Sequence, residues 1–287
     1  MNDMKNLKKI FLAILATGVF AISCQEENPE LGKMPDKSEV HFDVIQDPAL
    51  HPNGNIVILR NTTPQTMSMW DYQTGSSFRQ EDTVAFPFAG NYVVKFSAVT
   101  GAGIVEADPV TVNVPTSDTE LLSDPLWALL AGGPGESKTW KLDIDAEYWD
   151  GPLYFYGTHI GWGPKCLPGG TDCWNWNPDY AGNTWLMADG DYGTMTFNLI
   201  DGAFVSVDHK MLPGRGVENG TYRIVPETKT LVMSNATPLH DSGRDGCVAE
   251  WGNIRLLSLT EDAMQFAVLR TSCEGPCLLV YNYVAVE

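Results

Sequence analysis

A short tryptophan-rich segment is the clearest candidate for a binding surface in this 287-residue chain. The sequence CLPGGTDCWNWNPDY, residues 166–180, places Trp174 and Trp176 among Gly, Pro, Asn and Asp, which favour turns and exposed loops. A sugar ring presents a face of C–H groups edged by hydroxyls, and an indole offers it a flat apolar surface with an N–H donor at the edge. The segment is therefore predicted to bind carbohydrate by stacking.

Other residues near this segment extend the predicted site. Between Tyr148 and Trp185 the aromatic density is far above the chain average of 10%. Polar side chains beside the indoles are expected to hydrogen-bond sugar hydroxyls. Trp185, next to apolar residues, and Trp140, on the apolar side of a predicted strand, are expected to be buried instead. The further candidates for ligand contact are Trp162, Trp149, Tyr180, Asn175, Asn177, Asp179 and His159.

Cysteine spacing predicts how the tryptophan-rich segment is held. Cys166 and Cys173 close a small loop, and a disulfide there would stabilise the fold by roughly 2–3 kcal/mol. Such a bridge would order the loop in advance, so that less entropy is lost on binding. Cys273 could pair with Cys247 or with Cys277, and one thiol stays free. The Asp/Gly strings at 188–193 and 240–246 fit turns as well as calcium loops, so no metal and no cofactor is predicted.

A row of carboxylates offers an enzymatic alternative. Asp143, Asp145 and Glu147 would project from one face of a strand, as in jelly-roll glycosidases of the laminarinase-like clan, which this row resembles. Retaining chemistry needs its two carboxyls about 5–5.5 Å apart, and an aspartate in the nucleophile's place retracts the attacking oxygen by about one bond. We therefore predict a solvent-exposed strand face or a cation site, and no enzyme. A weak or lapsed glycoside hydrolase is the alternative, and a surface adhesin or structural protein is a third.

The N-terminus has the pattern of an export signal. Three lysines within residues 5–9 precede the apolar run IFLAILATGVFAI. Ser23 before Cys24 resembles a bacterial lipobox, which would make Cys24 the lipidated first residue of the mature chain. The acidic residues 26 and 27 resemble an export tag to the outer face of the outer membrane. We predict a cell-surface-exposed outer-membrane lipoprotein of a Gram-negative bacterium; a plain signal peptide is the alternative.

The charge of the chain restricts its partners. The formal net charge is −18, and removal of the signal segment, which contributes +2, makes it −20. A charge of this sign repels phosphate backbones and anionic lipid, so nucleic acid is excluded as a partner and a neutral ligand is favoured.

Two groups of predicted strands must position these residues. Six short segments rich in β-branched and aromatic residues, between residues 38 and 115, predict an immunoglobulin-like sandwich. WDYQTG from Trp70 and FPFAGNYVVKFSAVTGAG from Phe86 resemble the signature of the polycystic-kidney-disease (PKD) domain, although Gln73 and Thr74 depart from it. The resemblance implies a PKD-like spacer domain over residues 38–115, and Trp70 is expected in its core.

The remaining chain divides into a joint and a larger domain. Residues 1–23 are the signal peptide, 24–37 a polar tether and 116–134 a helical joint, in which Asp124 caps, Pro125 begins and Gly132 ends a short helix. From residue 135 to 287 about nine strand candidates follow without a helix-length amphipathic run, which predicts a jelly-roll-type β-sandwich. The predicted fold class is therefore all-β.

Four motifs in this order resemble surface glycan-binding lipoproteins of starch-utilisation-type (Sus-like) systems. They are GGPGESKTWKLD from Gly132, THIGWGP from Thr158, CWNWNPDY from Cys173 and MADGDYGTMTF from Met187. The resemblance implies non-catalytic binding of a neutral polysaccharide, with a β-glucan as the best guess. It also implies delivery of the glycan to a neighbouring TonB-dependent transporter complex and hydrolase.

Overall fold

The structure is a computed structural model that describes residues 34–49 and 51–286. The predicted signal peptide and Cys24 lie outside these residues. No helix in the described ranges is both long enough and apolar enough to span a membrane.

The N-terminal module is a sandwich of two antiparallel sheets, preceded by a short 3₁₀ helix at Lys37–Glu39. One sheet has the order β1-β2-β5; in the other, β4-β3-β6, both β7 and β8 pair with the free edge of β6. This division matches an immunoglobulin-type sandwich. The strands are β1 (Phe42–Gln46), β2 (Ile56–Asn61), β3 (Met67–Asp71), β4 (Ser76–Ser77), β5 (Glu81–Ala85), β6 (Gly90–Thr100), β7 (Gly103–Glu106) and β8 (Val110–Val114).

Alternating apolar residues fill the space between the two sheets. Val57 and Leu59 from β2 meet Trp70 and Phe96 from the other sheet. Trp70 is fully buried, as predicted, and its indole N–H donates to the carbonyl of Arg79 at 3.0 Å. Membership of the PKD family stays a prediction.

The joint contains a 3₁₀ helix at Thr119–Leu122 and the helix α1 (Pro125–Ala131). The predicted start and stop signals of α1 are confirmed. The Asp124 carboxylate accepts the Leu126 N–H at 2.9 Å, Pro125 is the first helical residue, and Gly132 has a left-handed φ of 90°. The apolar side of α1 packs on the larger module, where the indole of Trp140 donates to the Leu130 carbonyl at 2.9 Å.

The larger module is built around an eight-stranded antiparallel barrel. Strands β14 to β20 pair consecutively, and β9 pairs with both β14 and β20, which closes the ring. A 3₁₀ helix at Ser242–Cys247 lies between β17 and β18. The strands are β9 (Ser137–Leu142), β10 (Leu153–Tyr156), β11 (Ile160–Gly161), β12 (Lys165–Cys166), β13 (Asn175–Trp176), β14 (Gly193–Asn198), β15 (Phe204–His209), β16 (Gly216–Val225), β17 (Thr230–Ser234), β18 (Asn253–Leu259), β19 (Ala263–Arg270) and β20 (Cys277–Ala285).

The predicted all-β fold is confirmed, and the connectivity of the larger module is an up-and-down meander. A jelly roll, which we expected, has Greek-key connections between two sheets. The difference arises because hydrophobic alternation shows which side chains face the core, but not which strands are neighbours. Closure depends on a long-range pairing, Tyr283 with Leu142, that no local pattern specifies.

Side chains fill the interior of the barrel. Phe197 and Phe266 meet edge to face with ring centroids 6.3 Å apart, and Trp140 is fully buried, as predicted. Small barrels are packed in this way. The outer surface of the barrel is therefore where a ligand site is expected.

Between β9 and β14 the chain leaves the barrel and wraps its outer face; we call residues 143–192 the outer segment. Its strand β10 pairs with β20 at Leu278–Tyr281, next to the portion of β20 that pairs with β9. Tyr154 and Tyr156 pack on Leu278 and Val280, so that β20 is buried on both faces. The outer segment carries every residue of the predicted ligand site.

Candidate functional site

One disulfide within the outer segment and hydrogen bonds to the barrel strands hold this segment in place. The predicted Cys166–Cys173 disulfide is present. Arg255 donates to the backbone carbonyl of Thr158 at 2.9 Å, and the buried Asn282 amide donates to the carbonyl of Gly151 at 2.6 Å. These contacts brace the backbone of the outer segment.

The sequence WNWN, residues 174–177, forms an edge strand with two different faces. Trp176 pairs with Phe155 and stacks on its ring at 5.2 Å, whereas Asn175 pairs with Tyr156. The Gly157 N–H donates to the Trp174 carbonyl at 2.8 Å and extends the pairing by one residue. Because side chains alternate along a strand, the two tryptophans share one face and the two asparagines share the other.

This alternation corrects the predicted arrangement of the ligand site. We expected Asn175 and Asn177 to lie between or beside the indoles and to hydrogen-bond sugar hydroxyls there. The structure places them on the opposite face of β13, so they face a different part of the surface.

Three exposed indoles form what we call the tryptophan ledge: Trp174, Trp176 and Trp185. They are 47%, 44% and 73% exposed. The rings of Trp176 and Trp185 lie 6.5 Å apart at an interplanar angle of 33°, and the Trp185 N–H contacts the Asn183 amide oxygen at 3.3 Å. The ledge is a broad aromatic surface on a braced backbone.

The expectation that Trp185 is buried was wrong. Its neighbours Leu186 and Met187 do enter the core, but a turn in which Leu186 N–H donates to the Asn183 carbonyl directs Trp185 outward. A hydrophobic neighbourhood in sequence does not fix the direction of a side chain outside a regular element.

The asparagine face of β13 borders a groove of about 450 Å³ on the outer wall of the barrel. We call it the asparagine groove. Two of the side chains that line it each carry a buried polar atom with no hydrogen-bond partner in the described part of the chain: the indole nitrogen of Trp149 and the amide oxygen of Gln265. The side chains that line it include Trp149, Tyr154, Tyr156, Asn175, Asn177 and Gln265.

Burial keeps the phenols of the groove protonated. Burial raises the pKa of Tyr154 to about 12 and also raises that of Tyr156, where the amides of Gln265 and Asn177 partly offset it. Both hydroxyls are therefore neutral near pH 7 and act as hydrogen-bond donors or acceptors.

The other predicted site residues do not join either surface directly. Trp162 is exposed beside Lys229, whose amine lies 5.4 Å from its ring centroid, although the next two residues line the groove. The Tyr180 hydroxyl donates to the Met187 carbonyl at 3.2 Å, and the Asp179 carboxylate accepts the Gly182 N–H at 3.0 Å. His159 is exposed, and its ring nitrogen Nδ1 accepts the backbone N–H of Asp172 at 3.4 Å. Tyr180 and Asp179 thus have structural roles.

Gln265 was missed by the sequence analysis. It lies on β19 within the run MQFAVLR, where a polar residue among apolar ones is the available signal. It is 1% exposed, and its amide nitrogen donates to Asn282 Oδ1 at 2.9 Å.

No protein-family model and no curated protein matches this chain. What it binds must therefore be inferred from its own side chains.

The predicted row of carboxylates on a strand is not formed. Strand β9 ends at Leu142, and the buried Asp143 carboxylate accepts backbone N–H groups from residues 147, 148 and 149. The exposed Glu147 pairs with Lys141 at 2.8 Å instead. Three short-range backbone donors turn the chain at Asp143, and the regular alternation that would align the carboxylates is lost.

The remaining cysteines settle the pairing that the sequence left open. Cys247 pairs with Cys273, and Cys277 is buried and has no disulfide partner among the described cysteines. Within residues 34–49 and 51–286, no cluster of three or more His, Cys, Asp or Glu side chains could hold a metal ion.

A partly buried polar network joins β15 and β16 to the 3₁₀ helix at Ser242–Cys247. Arg215 bridges Glu218 at 3.0 Å and Asp245 at 2.6 Å. His240 Nε2 lies 2.9 Å from Asp245, and His209 Nε2 lies 3.2 Å from Glu218. Burial lowers the pKa of both histidines, and for His240 it outweighs the two acceptors, Pro238 O and Asp245 Oδ1, that its ring nitrogens face.

The network predicts that the protein loses stability on acidification. The pKa of each buried histidine is lower in the folded state than the usual ~6.5 of the unfolded chain. Above pH 6.5 both states are neutral and the folded state keeps its full stability. As pH falls below 6.5 the unfolded chain binds protons first, and each histidine lowers the free energy of unfolding by up to ~1.4 kcal/mol per pH unit. Urea unfolding at pH 7.5 and 5.5 measures this loss. His240→Phe should flatten the dependence, and His41→Gln, at an exposed position, should not. Equal stability of the wild type at both values would refute the prediction.

Proposed function

We propose that this protein binds a neutral polysaccharide at a cell surface without cleaving it. The observation that carries the proposal is the tryptophan ledge, whose indoles are exposed although the neighbouring backbone is braced by a disulfide and by strand pairing. Large aromatic side chains exposed together on a rigid surface are typical of binding sites.

The ledge suits a carbohydrate better than other ligand classes. Flat indoles complement the C–H face of a sugar ring and lose little conformational entropy on binding. The strongly negative chain disfavours nucleic acid and anionic polymers. Because stacking depends on the ring face more than on individual hydroxyls, the ledge would accept an extended neutral chain, and a β-glucan is our first candidate.

The cellular setting follows from the sequence resemblance. Lipidation at Cys24 would anchor the protein in the outer membrane, and the N-terminal PKD-like module would act as a spacer that holds the barrel away from the membrane. The bound glycan would then be delivered to a neighbouring TonB-dependent transporter complex and hydrolase.

Affinity electrophoresis against a panel of neutral polysaccharides tests the proposal. We expect retardation by at least one glycan, and Trp176→Ala or Trp185→Ala should weaken the affinity by about tenfold, by analogy with the ~1–3 kcal/mol of a base stacked on an aromatic ring. Phe78→Ala is the matched control, since Phe78 is an equally exposed ring on the N-terminal module.

The alternatives give different outcomes in the same experiment. Release of reducing sugar that Glu147→Gln abolishes would favour a hydrolase and overturn the non-catalytic proposal. Migration unaffected by every glycan would instead favour an adhesin or a structural protein.

A further inference from the structure

We propose that the asparagine groove is a second ligand site, which holds one or two neutral sugar residues by hydrogen bonds and gives the protein its selectivity among glycans. The ligand class rests on the proposed function, but the site is separate from the tryptophan ledge. The two lie on opposite faces of β13.

Unpartnered buried atoms are the first observation. Buried polar groups in folded proteins are hydrogen-bonded in about nine cases out of ten. Here the Trp149 N–H, a donor, and the amide oxygen of Gln265, an acceptor, are both buried without a partner among the described residues, and both side chains belong to the lining of one groove. A hydroxyl donates and accepts at once, so a ligand that carries hydroxyls can satisfy both atoms.

The chemistry of the lining is the second observation. Tyr154, Tyr156, Asn175 and Asn177 add two phenols and two amides, all uncharged. Among the described residues that line the groove, Asp150 alone is charged, and the Tyr154 hydroxyl lies 3.3 Å from its carboxylate. A lining without basic side chains disfavours an anion, whereas a dense set of neutral donors and acceptors fits several neighbouring hydroxyls.

The size of the groove limits the ligand. Small-molecule sites have volumes of about 300–1,000 Å³, and the groove is near the lower end of this range at about 450 Å³. One or two sugar rings therefore fit better than a long chain segment. Trp149 supplies an apolar ring in the same wall, so the site offers a stacking surface as well as hydrogen bonds.

The tryptophan ledge and the asparagine groove would make different contributions to glycan recognition. The ledge contacts ring faces, which most neutral sugars share, and so contributes affinity with little discrimination. The polar atoms of the groove have fixed positions, and each can bond to a hydroxyl at one place on the sugar. A sugar that has a hydrogen there, or a hydroxyl with the opposite orientation, does not form that hydrogen bond. Such atoms penalise the wrong ligand because they are left buried and unpaired.

Trp149→Phe tests the inference because it removes the indole N–H and retains an aromatic ring. The N–H has no partner within residues 34–49 and 51–286, so its loss breaks no hydrogen bond of the described fold, and the melting temperature should change little. Isothermal titration with monosaccharides and disaccharides of glucose, galactose, mannose and xylose should show at least one saturable ligand for the wild type. Trp149→Phe and Tyr156→Phe should each weaken that ligand by about 2- to 12-fold.

Deoxy analogues of the bound sugar provide a readout that a purely structural role would not change. The wild type should discriminate against at least one deoxy sugar, and Trp149→Phe should lose that discrimination. Phe78→Ala, at an exposed ring on the N-terminal module outside both surfaces, is the control and should leave titration of the groove unaltered.

The outcomes separate this inference from the proposed function. If polysaccharides retard the protein through the ledge but no mono- or disaccharide binds saturably, the groove holds only water and the inference is wrong, while the function stands. If small sugars bind and Trp149→Phe and Tyr156→Phe leave the affinity unchanged, the inference is also wrong. If neither polymer nor sugar binds, both proposals fall.

Discussion

Replacing Asp143 by alanine is expected to lower the free energy of unfolding by about 3–5 kcal/mol and to weaken binding in the asparagine groove. Asp143 is 1% exposed, and its carboxylate accepts the N–H groups of Glu147 at 2.7 Å, Tyr148 at 3.1 Å and Trp149 at 2.7 Å. Hydrogen bonds to a charged group contribute about 1.5–3 kcal/mol each, and three are lost at once, while water regains part of this at the exposed residues 147 and 148. The turn that these bonds hold also places Trp149 in the groove.

A matched variant in the same turn provides the control for this prediction. Asp145 is exposed, and its contact with Lys141 is long, 3.9 Å, so Asp145→Ala should change the unfolding free energy by less than ~0.5 kcal/mol. Urea unfolding of the two variants and sugar titration by calorimetry give both readouts. Similar small effects of the two substitutions would show that the Asp143 turn is not a structural element.

Removing the Cys247–Cys273 disulfide by a double alanine substitution is expected to cost about 3–4 kcal/mol. The two cysteines are 26 residues apart, and in the chain-entropy model a loop of that length restricts the unfolded state by this amount. The bond also ties the 3₁₀ helix at Ser242–Cys247 to the connection between β19 and β20.

The second disulfide, which closes a shorter loop, tests whether the loss of stability depends on loop length. Cys166 and Cys173 are 7 residues apart, so the matching double substitution should cost about 1 kcal/mol less than the first. Midpoints of urea unfolding compare the two variants, provided that the slopes agree. A larger loss from the shorter loop would contradict the entropic explanation and indicate that local packing dominates.

Features determined by neighbours in sequence could be predicted well. The cap and stop of α1, the Cys166–Cys173 bridge and the burial of Trp70 and Trp140 all depend on residues within one element or one short loop. In each case the signal and the structure that it specifies lie within a few residues of each other.

Features that depend on distant partners could not be predicted in this way. The pairing of β9 with β20 closes the strands into a barrel, and no residue pattern in either strand specifies which strand it pairs with. The asparagine groove likewise needs Gln265 from β19 beside Trp149 from the outer segment. Two positions so far apart meet only because the outer segment lies on the barrel wall.

The placement of the tryptophan ledge and the asparagine face on opposite sides of β13 could have been predicted from the sequence. WNWN is a strict alternation, and read as a strand it puts the indoles and the amides on opposite sides. We predicted a loop because Gly, Pro and Asp dominate the surrounding segment. A pairing of only two residues, β13 with β10, was enough to impose the strand geometry.

The edges of the β-sheet in the larger module affect how readily the protein associates with itself. Each of the eight barrel strands has a partner on both sides, so the ring offers no template for another chain's backbone. Beyond the ring, β10 and β13 extend the sheet. Strand β13 has only two residues, and Pro178, two positions after its end, has no N–H to donate. At the surface that carries the indoles, the larger module thereby leaves a strand of another chain almost no backbone to pair with, which protects that surface from fibril-like aggregation.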